Sequence, residues 1–316
     1  MNSKKPLIIS GSANRNLSEQ ISKSSGINLC EATIKRFADG EIFVQIEQSV
    51  RGAHVFVIQP TCPPANDNLM ELLIMIDALK RASAASVTAV TPYYGYARQD
   101  RKVSPRTPIT AKLVANLLTA AGVNRVVSLD LHADQIQGFF DIPFDNLYGL
   151  EVLSNHIKTQ VTDDVVIVSP DAGGVSRARS FAQKLRANLA IIDKRRPKAN
   201  ESAVMHIIGE VKDKNCIIVD DMIDTAGTLC NGAEAIMNAG AKKVMAAITH
   251  GVLSGPAIDR LEKSVLHKLF ITDTIPLSEE KQARGRIEVV STASLIGEAI
   301  KRIHMGQSLS SLFCED

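Results

Sequence analysis

Short runs rich in β-branched residues recur along this chain, and the stretches between them carry apolar residues at helical spacing. In the first half the runs are "LIIS", "HVFVIQ", "SVTAVTPYY" and "RVVSLDL". In the second they are "DVVIVSP", "LAIID", "CIIVDD", "KVMAAITH", "KLFITD" and "IEVVS". Strand alternating with helix predicts an α/β fold built on mainly parallel sheets flanked by helices. The helical stretches are Asp67–Ser83, Thr107–Ala121 and Leu229–Ala239, and "NDNLMELL" and "DTAGTLC" place Asn, Asp or Thr where helix starts would lie. At 316 residues the chain is long enough for two such domains. The similar strand content of the halves puts the joint near Tyr148–Ser154, giving domains 1–148 and 149–316. The last residues are candidates for packing back on the first domain.

The bulk charge excludes several classes of function. Lys and Arg number 36 against 34 Asp and Glu, a net charge of +2, so no global field draws the chain to nucleic acid or to an anionic membrane. Five scattered cysteines without a CxxC fit reduced thiols better than a disulfide framework or a zinc site. The start "MNSKKPLIIS" has too short an apolar run for a signal segment, and no window approaches the ~20 apolar residues of a membrane span. A cytoplasmic protein is expected.

In open parallel sheets ligands gather at the carboxyl ends of strands. Strand after strand in the second half ends in chemistry there: "SPDAGG", "IIDKRRPK", "VDDMIDTAGT", "ITHG" and "ITDT". In "CIIVDDMIDTAGTL", a strand through Val219 followed by a helix from Thr228 makes Asp224 to Thr228 the turn at a helix N-terminus. Unpaired amides and the helix dipole attract an anion there. Ala226 and Gly227 keep side chains clear of that anion, and Thr225 and Thr228 add hydroxyl donors. Asp220 and Asp221 are acceptors, suited to the hydroxyls of the molecule that carries the phosphate. Phosphate plus vicinal diol reads as a phosphorylated sugar. Neither a Walker loop nor GxGxxG, GxSxG or HExxH occurs.

The run "DKRRPK" sets four basic residues beyond a strand, where a loop of cations can neutralise a transferring phosphoryl group or simply be solvated. His132 in "DLHADQ" and Asp171 in "SPDAGG" each follow a strand, and the bland reading of either is structural. In the first half "RFADGEIFVQI" sets Asp39 and Glu41 about Gly40. "PYYGYARQDRK" interleaves three tyrosines with Arg98, Arg101 and Lys102, either a base-stacking surface or a core strand running into a charged loop.

Taken together, "FADGE", "TCPPANDNLMELL", "PYYGYARQDRK", "DLHADQIQGFFDIP", "SPDAGGVSRAR", "IIDKRRP", "VDDMIDTAGTL" and "ITDTIP" resemble, in order, the phosphate-activated class of ribose-phosphate diphosphokinases, the PRPP synthetases. The resemblance implies two phosphoribosyltransferase-type domains and transfer of the diphosphoryl group of Mg-ATP to ribose 5-phosphate, giving PRPP and AMP. It implies ATP contacts at Phe37, Asp39, Gly40, Glu41, Arg98, Gln99, Asp100 and Arg101, and Mg²⁺ sites at His132 and Asp171. It implies ribose 5-phosphate contacts at Arg196, Asp220, Asp221 and Asp224 to Thr228, and a catalytic loop carrying Lys194 and Arg196. It also implies a homohexamer activated by inorganic phosphate, inhibited by ADP, with regulatory positions Ser49, Arg51, Gln137, Asp145, Asn146, Ser308 and Ser310. Two features depart from the family pattern. "DTAGT" lacks a second glycine, a tolerable change if Ala226 keeps a negative φ, and the loop "KVSPRTPIT" is a residue shorter than in some bacterial relatives. A PRPP-using phosphoribosyltransferase would not need the first half, and a non-catalytic regulatory subunit would not need Lys194, Arg196, His132 and Asp171.

Overall fold

The computed structural model describes residues 5–161, 164–195 and 204–312, with the backbone alone at Lys194, Arg195 and Val204. Two compact units emerge among the described residues. The first holds residues 5–148, 274–276 and 292–312; the second holds the rest.

The first unit opens with β1 (Pro6–Ser10), α1 (Arg15–Ser25), β2 (Leu29–Cys30), β3 (Ala32–Arg36), β4 (Ile42–Ile46) and β5 (His54–Ile58). It continues with α2 (Ala65–Arg81), β6 (Ser86–Thr91), α3 (Thr110–Ala121), β7 (Arg125–Leu129) and β8 (Phe144–Leu147). Six of these strands form one parallel sheet in the order β2-β1-β5-β6-β7-β8. Strands covered on both faces must be apolar throughout, which is why β5 and β7 read as continuous hydrophobic runs. Leu72, Met75, Ile76 and Leu79 of α2 and Val114 and Leu118 of α3 pack with Val55, Val57 and Val126. β3 and β4 stand apart as an antiparallel hairpin. Its tip turns at Gly40, whose φ of +95° favours glycine.

The second unit comprises α4 (Leu150–Gln160), β9 (Val165–Ser169), α5 (Val175–Leu185), β10 (Asn188–Arg195), β11 (Val204–Ile208), β12 (Asn215–Ile223) and α6 (Gly227–Asn238). It continues with β13 (Lys243–Gly251), α7 (Ala257–Lys263), β14 (Lys268–Thr272), α8 (Glu279–Gly285) and β15 (Ile287–Val290). Its sheet runs β11-β10-β9-β12-β13-β14-β15, parallel except where β10 meets β11. Ile218, Ala233, Ile236, Ala246, Ile248 and Ile271 lie in its core.

The last helix, α9 (Ala293–Met305), counts with the first unit and packs on α1. Their contact is close: the Ser24 hydroxyl donates to the Ala293 carbonyl at 2.8 Å, and a Cβ on Gly297 would lie 2.2 Å from Ser24 Oγ. Helix starts differ from the expectation. α2 is capped by Pro64 and α6 by Ala226, neither with a side-chain bond, because each helix begins before the Asn, Asp or Thr expected to cap it, or directly after a tight turn. Cys30, Cys62, Cys216 and Cys230 are free thiols; Cys314 lies outside the described residues. Among the described residues no helix is long and apolar enough to cross a membrane.

Candidate active site

The acid pair lies inside β12 rather than after it. The strand runs on through Met222 and Ile223, because its ladder with β13 continues to Ile223 opposite Gly251. Asp221 is buried and Asp220 half-buried. One guanidinium holds both: Arg177 Nη1, from α5, lies 3.3 Å from Asp220 Oδ1 and 3.3 Å from Asp221 Oδ1. The Asp221 amide also donates to Asp220 Oδ1 at 2.9 Å. Burial, then the adjacent charge of Asp221, raises the Asp220 carboxyl to about 7 against the opposing pull of Arg177. Near neutral pH this pair can therefore both donate to and accept from a diol.

Downstream, Asp224 to Thr228 form the turn into α6. The Ser254 hydroxyl donates to Asp224 Oδ1, the Ser254 amide donates to the Asp224 carbonyl at 3.1 Å, and Arg260 Nη1 donates to the Thr225 carbonyl at 2.8 Å. The carbonyls of Asp224 and Thr225 are thus engaged, Ala226 supplies no side-chain cap to the first amides of α6, and Thr225 and Thr228 beside them are exposed. Ala226 does not meet the condition under which the missing glycine is tolerable. It sits at φ +61°, ψ 0°, in the left-handed region, because the chain must reverse between the end of β12 and the start of α6.

Asp171 follows β9 and is exposed; its Oδ1 accepts the Gly174 amide at 3.0 Å. Lys194 occupies the end of β10, with its side chain not described, and Arg196 lies outside the described residues.

In the first unit Phe37, Asp39, Gly40 and Glu41 form the exposed tip of the β3–β4 hairpin. The Glu41 amide donates to Asp39 Oδ1 at 3.0 Å, and Phe37, 52% exposed, meets Phe43 edge-on at 5.7 Å. Arg36 ties the hairpin to α2 through Asp67 at 3.0 Å. Arg98 to Arg101 lie in the loop after β6, where Thr110 Oγ1 donates to Gln99 Oε1 at 2.5 Å and Gln135 Nε2 to Asp100 Oδ2 at 2.9 Å. That second bond joins the loop to the segment carrying His132, which is exposed. Two of the tyrosines take the core role: Tyr93 and Tyr94 are buried, Tyr94 donating to the Ala111 carbonyl at 3.0 Å, whereas Tyr96 is half-buried and donates to Asn66.

The regulatory candidates fall on three stretches of this unit. Ser49 and Arg51 line one cavity of about 850 Å³, and Ser308 and Ser310 share a turn with hydroxyls 2.9 Å apart. Gln137 lies in the 3-10 turn Asp134–Phe139, while Asp145 and Asn146 lie on β8. Asp145 pairs with Arg125, and buried Asn146 accepts the Leu131 amide and donates to Asp134, both at 3.1 Å.

Comparison with known proteins decides the lineage. The family model of the N-terminal domain of ribose phosphate pyrophosphokinase matches residues 6–122, and that of the phosphoribosyl synthetase-associated domain matches residues 195–314. A ribose-phosphate pyrophosphokinase of Caldanaerobacter subterraneus is 60% identical over 307 residues, 97% of each chain. The chain belongs to the ribose-phosphate pyrophosphokinase family. A second family member, from Campylobacter jejuni, is 58% identical over 97% of this chain and 98% of its own. The crystal structure of phosphoribosylpyrophosphate synthetase from Mycobacterium smegmatis superposes with a TM-score of 0.90 at 43% identity, covering 96% of this chain and 100% of that one. Against this family fold, three residues escaped the sequence reading: Arg177, Ser254 and Arg260. Each acts on the acid pair or the phosphate turn from another element. Only the run "VSRARS" directly after "SPDAGG" carried a signal, as a cation within reach of a strand-end acid.

Proposed function

We propose that this chain is a ribose-phosphate diphosphokinase that transfers the diphosphoryl group of ATP to the anomeric hydroxyl of ribose 5-phosphate. The observation that carries the reading is the unit made by β12, its turn and α6 in a chain of this family: an acid pair on the strand that leads into a helix start flanked by exposed threonines. The 5-phosphate takes the amides and hydroxyls of Thr225 to Thr228, and the ribose hydroxyls meet Asp220 and Asp221. The anomeric oxygen then attacks the β-phosphorus, the bond from that phosphorus to the α,β-bridging oxygen breaks, and AMP leaves with the electron pair. Such a transfer is governed by positioning and charge neutralisation, the role we assign to Lys194 and Arg196. ATP contacts fall to Phe37, Asp39, Gly40 and Glu41 of the hairpin and to Arg98, Gln99, Asp100 and Arg101.

Mg²⁺ suits the residues present. Among the described residues no three His, Cys, Asp or Glu side chains form a metal cluster. Mg²⁺ is usually held by one or two carboxylates, waters and substrate phosphates, a pattern that the exposed Asp171 carboxylate matches, with His132 acting through water. The ion when bound supplies charge neutralisation on the phosphates. Residues 1–148 are assigned to ATP and oligomer contacts, and 149–316 to ribose 5-phosphate. Phosphate activation through the Ser49 and Arg51 cavity, a cytoplasmic location and a homohexameric assembly complete the proposal.

Calorimetry and turnover test the assignments together. Asp224→Ala should weaken ribose 5-phosphate binding more than ATP binding. Lys194→Ala with Arg196→Ala should lower turnover roughly 10³-fold while ribose 5-phosphate still binds. The reverse binding order, or unchanged turnover, would remove those residues from their roles.

A further inference from the structure

The second unit carries a basic cavity at the amino-terminal edge of its sheet, the edge opposite the acid pair. The cavity measures about 230 Å³ and is lined by Gln160, Asn215, Lys242, Lys243, His267 and Lys268, with Met245 and Phe270 beneath. Strand register builds it: Asn215 of β12 lies opposite Lys243 of β13, and Met245 lies opposite Lys268 of β14. Residues two apart face one side of a sheet, so Lys243 stands beside Met245 and Lys268 beside Phe270.

Among the described residues the charges here do not cancel. Glu288 is engaged by Lys268 at 2.6 Å and by His156, and Asp164 is engaged by Lys214 at 2.9 Å. Arg286 adds a further cation, with its guanidinium donating to the carbonyls of Leu261, Glu262 and Ser264. Among the described residues, Lys242 and Lys243 line the cavity without a salt-bridged acid, apart from the outlying field of Asp164 on Lys242. The bland alternative is that they only answer the carboxyl end of α4, whose last residue, Gln160, forms one wall. A helix end carries roughly half an elementary charge, which falls short of two lysines. The imidazole reports the same field: burial, then Lys243, Lys268 and Arg286, hold His267 below its ordinary value.

We propose that this cavity is an anion site that takes a phosphate group, free or as a phosphomonoester, on Lys242, Lys243 and His267. Two lysines match a dianion, and the buried floor of Met245 and Phe270 offers no exposed ring on which a base could stack. An arriving phosphate reverses the local field, so His267 takes up a proton as the anion binds.

The test uses the full chain and inorganic phosphate, in two readouts that do not depend on catalysis. Equilibrium dialysis with radiolabelled phosphate should show one equivalent per chain lost, or weakened at least roughly tenfold, in Lys242→Gln with Lys243→Gln. Lys242 is exposed and Lys243, half-buried, is the first residue of β13, so the variant should fold, and its turnover with saturating substrates should match the parent. In ¹³C-histidine NMR, with His267 assigned by His267→Gln, added phosphate should raise the His267 pKa and chloride at equal ionic strength should not. A phosphomonoester that repeats both effects identifies the ligand as a phosphorylated metabolite; inorganic phosphate acting alone identifies the free ion. Unchanged stoichiometry in the double variant, or a His267 signal indifferent to phosphate, overturns the proposal.

Discussion

Ala226→Gly separates backbone strain from packing in the phosphate turn. At φ +61° an L-residue carries a penalty of roughly 1–2 kcal/mol that glycine does not. Against that relief stand two losses. The unfolded glycine chain is freer by about 0.4–1 kcal/mol, and the buried Ala226 methyl is worth about 0.8 kcal/mol. Gain and loss nearly cancel, so the variant should stay within about 1 kcal/mol of the parent. Ala233→Gly, in the interior of α6 and fully buried, is the control. It gains no strain relief and should lose roughly 1.3–1.8 kcal/mol from helix propensity and the methyl, plus a cavity contribution. Urea unfolding of both variants at one protein concentration gives the comparison, since association would otherwise shift the midpoints. Equal losses at the two positions would refute the left-handed backbone at Ala226 and the account of the turn built on it.

Three further outcomes follow from specific contacts. In Gly11→Ala the added Cβ would lie 2.1 Å from Oε1 of fully buried Gln59, whose amide donates to Glu71 at 2.8 Å. Breaking that network should cost roughly 2–4 kcal/mol, and an unaltered unfolding midpoint would contradict it. Because the folded Asp220 carboxyl is raised to about 7, the folded chain holds this proton more tightly than the unfolded one. That contribution is complete below the ordinary carboxyl value and lost as pH rises through about 7. Asp221→Asn should lower the Asp220 pKa and flatten this dependence, whereas Arg177→Met should raise the pKa further. Carboxyl ¹³C titration reads both, and shifts of the same sign would refute the charge assignment. Gly297→Ala, whose Cβ would lie 2.2 Å from Ser24 Oγ, should loosen α9 from α1, seen as faster amide exchange along α9.

Much of the fold could be read because the informative strands are buried on both faces. Every β-branched run quoted from the sequence became a strand, and the three expected helices formed within a few residues of their limits. β2, only two residues long, and β3, β4, β8 and β11 were missed for the opposite reason. "ATIKR" and "IFVQI" pair only with each other, "FDNL" is short and carries Asp and Asn, and "VMHII" is an antiparallel edge strand beside a basic run. The acid pair and phosphate turn were legible as local chemistry, since both lie within one stretch of chain. Their supports were not: Arg177 reaches across 43 positions to Asp220, Ser254 across 30 to Asp224, and Arg260 across 35 to Thr225. The tertiary fold alone brings such pairs together. The backbone of Ala226 was left open because nothing local to "DTAGT" announces which residue takes the positive φ when a glycine stands next to it.

The central claim is the transfer of a diphosphoryl group to the anomeric oxygen. ³¹P NMR of the purified chain with Mg-ATP, ribose 5-phosphate and inorganic phosphate tests it most directly. The account predicts PRPP and AMP appearing together in equal amounts, and only when ribose 5-phosphate is present. ADP with a singly phosphorylated new position, or no reaction from folded protein that binds ribose 5-phosphate, would contradict it.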